Sequence, residues 1–159
     1  MEIARPICRA VTVCALWAAG ILFPAHLQAQ TLDLNLSTSA IAFASADPDT
    51  MPAVTAPPVN VRYRVRGNDG GTWRITVMAG GDLTSGAATI PISLVTWTAT
   101  PAPPFQNGTM GSSVAQTLAA GTGNEQGWRS GTIVFSLENR WTHNTGVYST
   151  SITFTIVAP

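Results

Sequence analysis

Charge, cysteine and histidine are all scarce in this sequence. Only 10% of its 159 residues are charged, and lysine is absent. An ordinary globular domain carries about 25% charged residues. Beyond residue 29 there are six arginines and seven acidic residues, which leaves no strong net charge to attract nucleic acid or an anionic membrane. We therefore expect no nucleic-acid partner.

The first 29 residues carry the features of a signal peptide. Arg5 and Arg9 precede an apolar run at residues 10–23, and Ala29 offers a small residue at the cleavage position. The run is shorter than the roughly 20 residues that a membrane-spanning helix needs. We predict a signal peptide at residues 1–29 and export to the periplasm, the cell surface or the extracellular space. A retained N-terminal anchor is the alternative.

Both cysteines, Cys8 and Cys14, lie within this segment. Residues 30–159 therefore contain no cysteine, which excludes a disulfide, a thiol nucleophile and a thiolate metal site from that part of the chain. The length of this part suits a single domain with one two-layer core. We predict one β-sandwich domain at residues 30–159, stabilised by packing alone and without a membrane span.

Histidine is limited to His143 beyond residue 29. A hydrolytic site needs a base beside a nucleophile, and no nucleophile-elbow motif surrounds the abundant serines and threonines. One histidine without cysteine cannot complete a zinc site. Asp47-Pro48-Asp49 lacks the rest of a calcium loop, so turn formation explains it better. We predict that the protein is not an enzyme and has no catalytic residue, cofactor or metal.

Apolar and polar residues alternate in short segments, and no helical period is sustained outside the signal peptide. The segments recur at intervals of about 8 to 12 residues, which is typical of an antiparallel immunoglobulin-like β-sandwich of about seven strands. A closed barrel is the structural alternative. The segments are residues 31–37, 41–43, 59–79, 90–98, 114–118, 131–139 and 147–157.

The clearest pattern lies at residues 59–79, where two alternating segments flank a glycine-rich turn. It predicts a hairpin with Tyr63 opposite Ile75 and both apolar rows facing one core. The pairing would also place Arg64 opposite Arg74, a like-charge contact that something should compensate.

The opposite rows of the two segments carry four arginines, which form a candidate surface for an acidic partner: Arg62, Arg64, Arg66 and Arg74. Glu138, a sulfate, phosphate or acidic sugar, or an acidic neighbouring subunit could supply the negative charge. The alternative is a solvated outer face without a partner, because exposed ion pairs contribute little.

Tryptophan is comparatively frequent. Trp73 and Trp97 lie on predicted inward rows, which favours core packing. Trp128 and Trp141 lie near strand ends and are candidate glycan contacts. They suggest a second function, a secreted carbohydrate- or ligand-binding module that uses these residues and the two long proline-containing loops predicted at residues 45–58 and 100–112. That function predicts exposed aromatic residues gathered at one end of the domain.

Two segments resemble secreted bacterial pilin-type domains, in particular the spore coat protein U group that is related to chaperone-usher pili. LSTSAIAFASADPDTMPAVTAPPVNVRYRV at residues 36–65 resembles the opening of that group, with its aromatic residue, Asp-Pro loop and Val-x-Val strand. NTGVYSTSITFTIVAP at residues 144–159 resembles its Gly-x-Tyr step and final strand. The cysteines common in that group are missing here, with Arg64 or Val65 where one is expected.

The resemblance implies an exported, non-enzymatic structural or adhesive subunit of a fimbrium or other surface structure. Its partners would be further copies or other surface subunits and an export chaperone. Assembly would proceed by donor-strand addition, in which an extended N-terminal segment fills a groove in the next subunit. Leu32, Leu34 and Leu36 would then form the inserted row. Alternatively, residues 31–43 are the first strand of the protein's own complete sandwich.

Overall fold

Alternation of apolar and polar residues produces strands along most of residues 30–159, the part of the chain that the computed structural model describes. The predicted signal peptide at residues 1–29 lies outside the described residues. A short 3-10 helix spans Ile92–Leu94. The strands are β1 (Thr31–Leu36), β2 (Ala40–Phe43), β3 (Ala53–Thr55), β4 (Val59–Arg66), β5 (Thr72–Ala79), β6 (Leu83–Ser85), β7 (Ala88–Ile90), β8 (Val95–Thr100), β9 (Gly108–Thr109), β10 (Gln116–Thr122), β11 (Glu125–Glu138) and β12 (Tyr148–Val157).

The strands form two antiparallel sheets. The first sheet has the order β1-β4-β11-β8-β9, with β3 also paired to β11, and the second has the order β10-β5-β12-β6-β7, with β2 also paired to β12. Joining β1 to β2, β3 to β4 and β5 to β6 leaves seven long strands beside the short β7 and β9. The prediction of an all-β antiparallel sandwich is confirmed.

The core lies between the sheets and is built from the inward rows. Val61 and Val65 of β4 face it from the first sheet, and Ile75 and Val77 of β5 face it from the second; all four are fully buried. Across the two sheets, the rings of Tyr63 and Trp73 lie with centroids 4.9 Å apart. Removing these side chains from water is the main favourable contribution to folding.

The predicted hairpin at residues 59–79 is wrong, although its two strands and its inward rows are present. β4 pairs with β1 and β11, whereas β5 pairs with β10 and β12 in the other sheet. The turn between them crosses from sheet to sheet, with Gly67 and Gly70 at φ 69° and 74°. Two strands can face the same core either side by side or from opposite sheets, and alternation alone does not distinguish these arrangements.

A buried amide stabilises this crossing turn. Asn68 donates from Nδ2 to the Gly71 carbonyl at 2.9 Å and to the Gly123 carbonyl at 3.4 Å, and its backbone N–H donates to Asn124 Oδ1 at 2.7 Å. These bonds satisfy a side chain that is 5% exposed. They tie the β4–β5 turn to the neighbouring β10–β11 turn, so both turns at this end of the sandwich are held together.

The N-terminal strand changes sheets. β1 pairs with β4 in the first sheet, in a register from Thr31 opposite Arg66 to Leu36 opposite Val61, and β2 pairs with β12 in the second. Residues 37–39 make the crossing. In this structure β1 therefore completes the sandwich of its own chain, which is one of the two alternatives that the sequence left open.

Two segments outside the alternating segments of the sequence also contribute strands. The polar connection at residues 83–89 forms β6 and most of β7. The glycine-rich stretch at residues 121–127 contains the end of β10, a turn at Gly123 with φ 71°, and the beginning of β11. β11 starts in a bulged, solvent-exposed region, between Glu125 and Arg129, where the alternation that marks a half-buried strand is absent.

Candidate functional sites

One flank of the sandwich lacks a closing ladder of hydrogen bonds. β12 pairs with β2 only through residues 148–151, so among the described residues no strand pairs with the second side of residues 153–157. β1 lies close to β12 without pairing to it, and the outer side of β1 is itself a sheet edge. We call this region the open flank. Free strand edges of this kind can bind another extended chain.

Apolar side chains are incompletely covered at the open flank. They belong to the inward rows, since Phe154 pairs with buried Val77 and Ile156 with buried Ile75. Yet they are only half-buried, whereas the inward residues of β4 and β5 are buried throughout. The side chains that define the flank are Leu32, Leu34, Leu36, Phe154 and Ile156. The leucine row singled out in the sequence therefore lies at the flank.

Besides its apolar row, β1 and the residue before it make few side-chain hydrogen bonds to the rest of the chain. Arg64 donates from Nε and Nη2 to Asp33 Oδ2 at 2.9 and 2.7 Å, and both residues are partly exposed. Gln30 Nε2 donates to Asn68 Oδ1 at 3.1 Å. Asp33 is the acidic partner of Arg64 that sequence reasoning missed. In the sequence, Asp33 lies on the outward row of an alternating segment, which marks it as a possible partner for an outward arginine. Only the register of β1 against β4 shows that this arginine is Arg64.

The predicted contact between Arg64 and Arg74 is absent because β4 and β5 lie in different sheets. Arg62, Arg64 and Arg66 share the outer row of β4. Arg74 lies on β5, opposite Ala120 and Val157, on the outer side of the second sheet. Thus three of the four candidate arginines form one surface and the fourth is elsewhere.

Trp128 lies on this arginine surface. The guanidinium carbons of Arg62 and Arg64 are 5.1 and 4.8 Å from its ring centroid. Such cation–π contacts contribute about 0.5 to 1 kcal/mol at exposed sites. These contacts engage the indole, which is 44% exposed, in interactions with its own chain.

Trp128 and Trp141 lie at opposite ends of the molecule. Trp128 is near the start of β11 and Trp141 follows its end, which separates them by about 30 Å at 3.3 Å per residue. The expectation that the exposed aromatic residues gather at one end is therefore wrong. Trp141 is 70% exposed and remains a candidate glycan contact.

A cleft of about 380 Å³ opens beside Trp141, between the loop after β2 and the turn before β12. We call it the loop cleft. Its floor is apolar, and its rim carries polar and aromatic side chains. The floor contains Phe43, Val54, Ile90, Leu137 and Tyr148, and the rim contains Asp47, Trp141, His143 and Asn144.

Hydrogen bonds hold the walls of the loop cleft in place. Asn139 Nδ2 donates to the carbonyls of Ala46 and Met51, each at 3.0 Å, which ties the loop after β2 to the end of β11. Trp141 Nε1 donates to Asp49 Oδ1 at 3.1 Å. No sequence pattern marked Asn139 as important, because its hydrogen bonds form only when the loop after β2 lies beside the end of β11.

Asp47 shapes a turn, as the Asp-Pro-Asp segment predicted. Its Oδ1 accepts a hydrogen bond from the Asp49 N–H at 3.0 Å, and its carbonyl accepts from the Thr50 and Met51 N–H groups. Within residues 30–159, no group of three or more His, Cys, Asp or Glu side chains is arranged to hold a metal ion. In the same range no helix is long and apolar enough to cross a membrane.

Burial and ion pairing shift the pKa values of Tyr63 and Glu138 in opposite directions. Burial, followed by the charge of Glu125, raises the pKa of Tyr63 to about 12, although Arg129 acts in the opposite direction. The hydrogen bond from Arg140, at 2.6 Å, lowers the pKa of Glu138. Glu138 therefore forms an ion pair with Arg140, and it is not the partner of Arg64 that the sequence suggested as one candidate.

Comparison with protein-family models, curated proteins and solved structures finds no match to this chain. The open flank and the loop cleft are therefore the features of the structure that bear on function.

Proposed function

We propose that the protein is an exported, non-enzymatic surface subunit that assembles by exchanging its N-terminal strand between copies. The observation that carries this proposal is the position of β1 at the open flank, where it is an edge strand paired only with β4 and its apolar row is half-buried. Unpaired edges and incompletely covered apolar rows are the features that strand addition uses.

The connection between β1 and β2 supports exchange. Residues 37–39 join strands that belong to different sheets, so β1 can leave without breaking any pairing within the second sheet. In the assembled form, β1 of one copy pairs with β4 of the next, and Leu32, Leu34 and Leu36 enter its core. The contacts of β1 with β4 and the core are the same in the monomer and in the assembled form, which is the usual basis of domain swapping. Head-to-tail repetition gives a fibre.

The remaining parts of the proposal follow from the sequence. The signal-like residues 1–29 support export, and the resemblance of residues 36–65 and 144–159 to pilin-type domains supports a fimbrial or other surface location. An export chaperone is the expected partner while β1 is undocked, because the exposed apolar row would otherwise promote aggregation.

A removable disulfide tests strand exchange. Asn35 and Arg62 are directly opposed on β1 and β4, and both side chains are exposed. Opposed antiparallel residues have Cα atoms about 4.5 to 5.5 Å apart, which suits a disulfide. In the chain expressed from Gln30, oxidised monomeric Asn35→Cys/Arg62→Cys should stay monomeric as concentration rises, measured by light scattering. After reduction it should assemble.

A second staple controls for the effect of oxidation itself. Thr98 and Val134 are opposed on β8 and β11, away from β1. Thr98→Cys/Val134→Cys should assemble equally well when oxidised or reduced. Assembly of the oxidised β1–β4 staple at the rate of its reduced form would refute strand exchange, as would a wild-type chain that stays monomeric at every concentration.

A further inference from the structure

We propose that the loop cleft binds a neutral pyranose ring, with the indole of Trp141 as its stacking surface. This activity does not depend on strand exchange, because the cleft lies at the start of β12 and the open flank at its end. The cleft volume of about 380 Å³ falls within the range of about 300 to 1,000 Å³ that is usual for small-molecule sites.

The aromatic surface is oriented before any ligand arrives. Trp141 is 70% exposed, yet its Nε1 donates a hydrogen bond to Asp49 Oδ1, and this bond restrains the orientation of the ring. The loop that carries Asp49 is held in turn by the two hydrogen bonds from Asn139. A restrained platform loses little conformational freedom on binding. An indole face suits the C–H face of a sugar, which is apolar although its edge is polar.

Polar groups on the rim can reach the hydroxyls of a stacked ring. In the described chain, the side chains of His143 and Asn144 make no hydrogen bond to another residue, and Asp47 uses only Oδ1 in its turn. The Asn144 carbonyl is held by the Tyr148 hydroxyl at 2.9 Å, which restrains this side of the cleft. Donors and acceptors are thus available around an apolar floor.

Charge favours a neutral ligand over an anionic one. Asp47 lines the cleft and Asp49 accepts the hydrogen bond from Trp141 at its rim, whereas the cation Arg140 is already engaged by Glu138 at 2.6 Å. A carboxylated, sulfated or phosphorylated sugar would meet this negative charge. A cationic ligand would need several exposed aromatic faces around it. Trp141 offers one, and Tyr148 is only 5% exposed with its hydroxyl engaged.

Ligand-observed NMR and calorimetry with simple sugars test the proposal. The probes are the methyl pyranosides of glucose, galactose and mannose, with glucuronate and choline as charged comparators. At least one neutral pyranoside should bind the wild-type chain more tightly than either charged probe. Trp141→Ala should weaken that binding about two- to tenfold, the equivalent of one stacked aromatic contact. Asp47→Asn, which keeps the turn acceptor, should weaken it less.

Trp128→Ala is the matched control, because it removes the exposed indole at the opposite end and should leave sugar binding unchanged. Circular dichroism and thermal unfolding establish that each variant is folded. Failure of all neutral pyranosides to bind would overturn the proposal, as would preferential binding of glucuronate or choline or equal binding by Trp141→Ala. Trp141→Ala should assemble normally, so the loop cleft and strand exchange are judged separately.

Discussion

At the scale of a single residue, Tyr63 contacts Trp73 across the two sheets. Titration of its hydroxyl should make the free energy of unfolding vary with pH in the alkaline range. The pKa of Tyr63 is raised to about 12, from an ordinary value near 10, chiefly by burial. Below pH 10 the residue is protonated in both the folded and the unfolded chain. Between pH 10 and 12 the unfolded chain releases a proton that the folded chain retains, so the free energy of unfolding falls as the pH rises.

We expect Tyr63→Phe to reduce this alkaline loss of stability. Denaturant unfolding of the wild type and the variant between pH 9 and 12 measures it. The variant should have a flatter dependence of unfolding free energy on pH, whatever its stability at pH 7. Parallel curves for the two proteins would show that Tyr63 titrates alike in the folded and unfolded states.

Gly131 is required by the close approach of an aromatic ring. A Cβ atom at this position would overlap the ring of Phe105. Gly131→Ala should therefore lower the free energy of unfolding by about 1 to 3 kcal/mol, as overpacking of a core does. Gly127→Ala lies on the same strand, where a Cβ would meet nothing within 4 Å, and should have little effect. Equal effects of the two substitutions in urea unfolding would contradict this explanation.

At the scale of elements, β1 should open more readily than the strands that flank it. It is an edge strand, and its outer contacts are limited to bonds such as the one between Asp33 and Arg64. Asp33→Asn weakens an ion pair worth about 0.2 to 1 kcal/mol. We expect hydrogen exchange of the β1 amides to become about 1.4- to fivefold faster, because local opening is easier.

The amides of β8 provide the comparison for this measurement, since β8 lies on the other side of β11. Their exchange should not change in Asp33→Asn. An equal acceleration in β1 and β8 would indicate global destabilisation, and no change in β1 would show that the ion pair does not hold this strand.

Strand positions could be predicted from the sequence, but strand neighbours could not. Alternation correctly placed Tyr63 and Ile75 on inward rows, because side chains point to opposite faces with a period of two. It contains no information about which sheet a strand joins. The turn at Gly67 and Gly70 is compatible with a hairpin or with a crossing between sheets, and only the packing of the whole core selects the crossing.

In the candidate sites, too, local features could be predicted from the sequence, whereas contacts between distant residues could not. The exposure of Trp141 was anticipated because it follows a strand end, and the leucine row of β1 was anticipated from its alternation. The Asp33–Arg64 pair and the loops tied by Asn139 join residues 31 or more positions apart. Such contacts depend on register and topology, which local patterns do not specify.

At the scale of the whole molecule, both sheets share one apolar cluster. The chain from Gln30 should therefore unfold in a single cooperative transition. Far-ultraviolet circular dichroism reports the strands and tryptophan fluorescence reports the core, and the two should give the same midpoint in urea. Adding a reducing agent should not shift that midpoint, because residues 30–159 contain no cysteine. Two separate transitions would show that the sheets unfold independently.

The pairing of β2 with β12 has a consequence for how the chain folds. Residues 40–43 pair with residues 148–151, which follow more than one hundred positions later in the chain. A long loop must close before this pairing forms, and contacts of such separation make folding slow, on the scale of milliseconds to seconds. β12 is also the strand that joins β5 to β2 and β6. A chain that stops before residue 148 therefore cannot join β5, β6 and β2 into one sheet, so the second sheet is completed only after residues 148–157 have been synthesised.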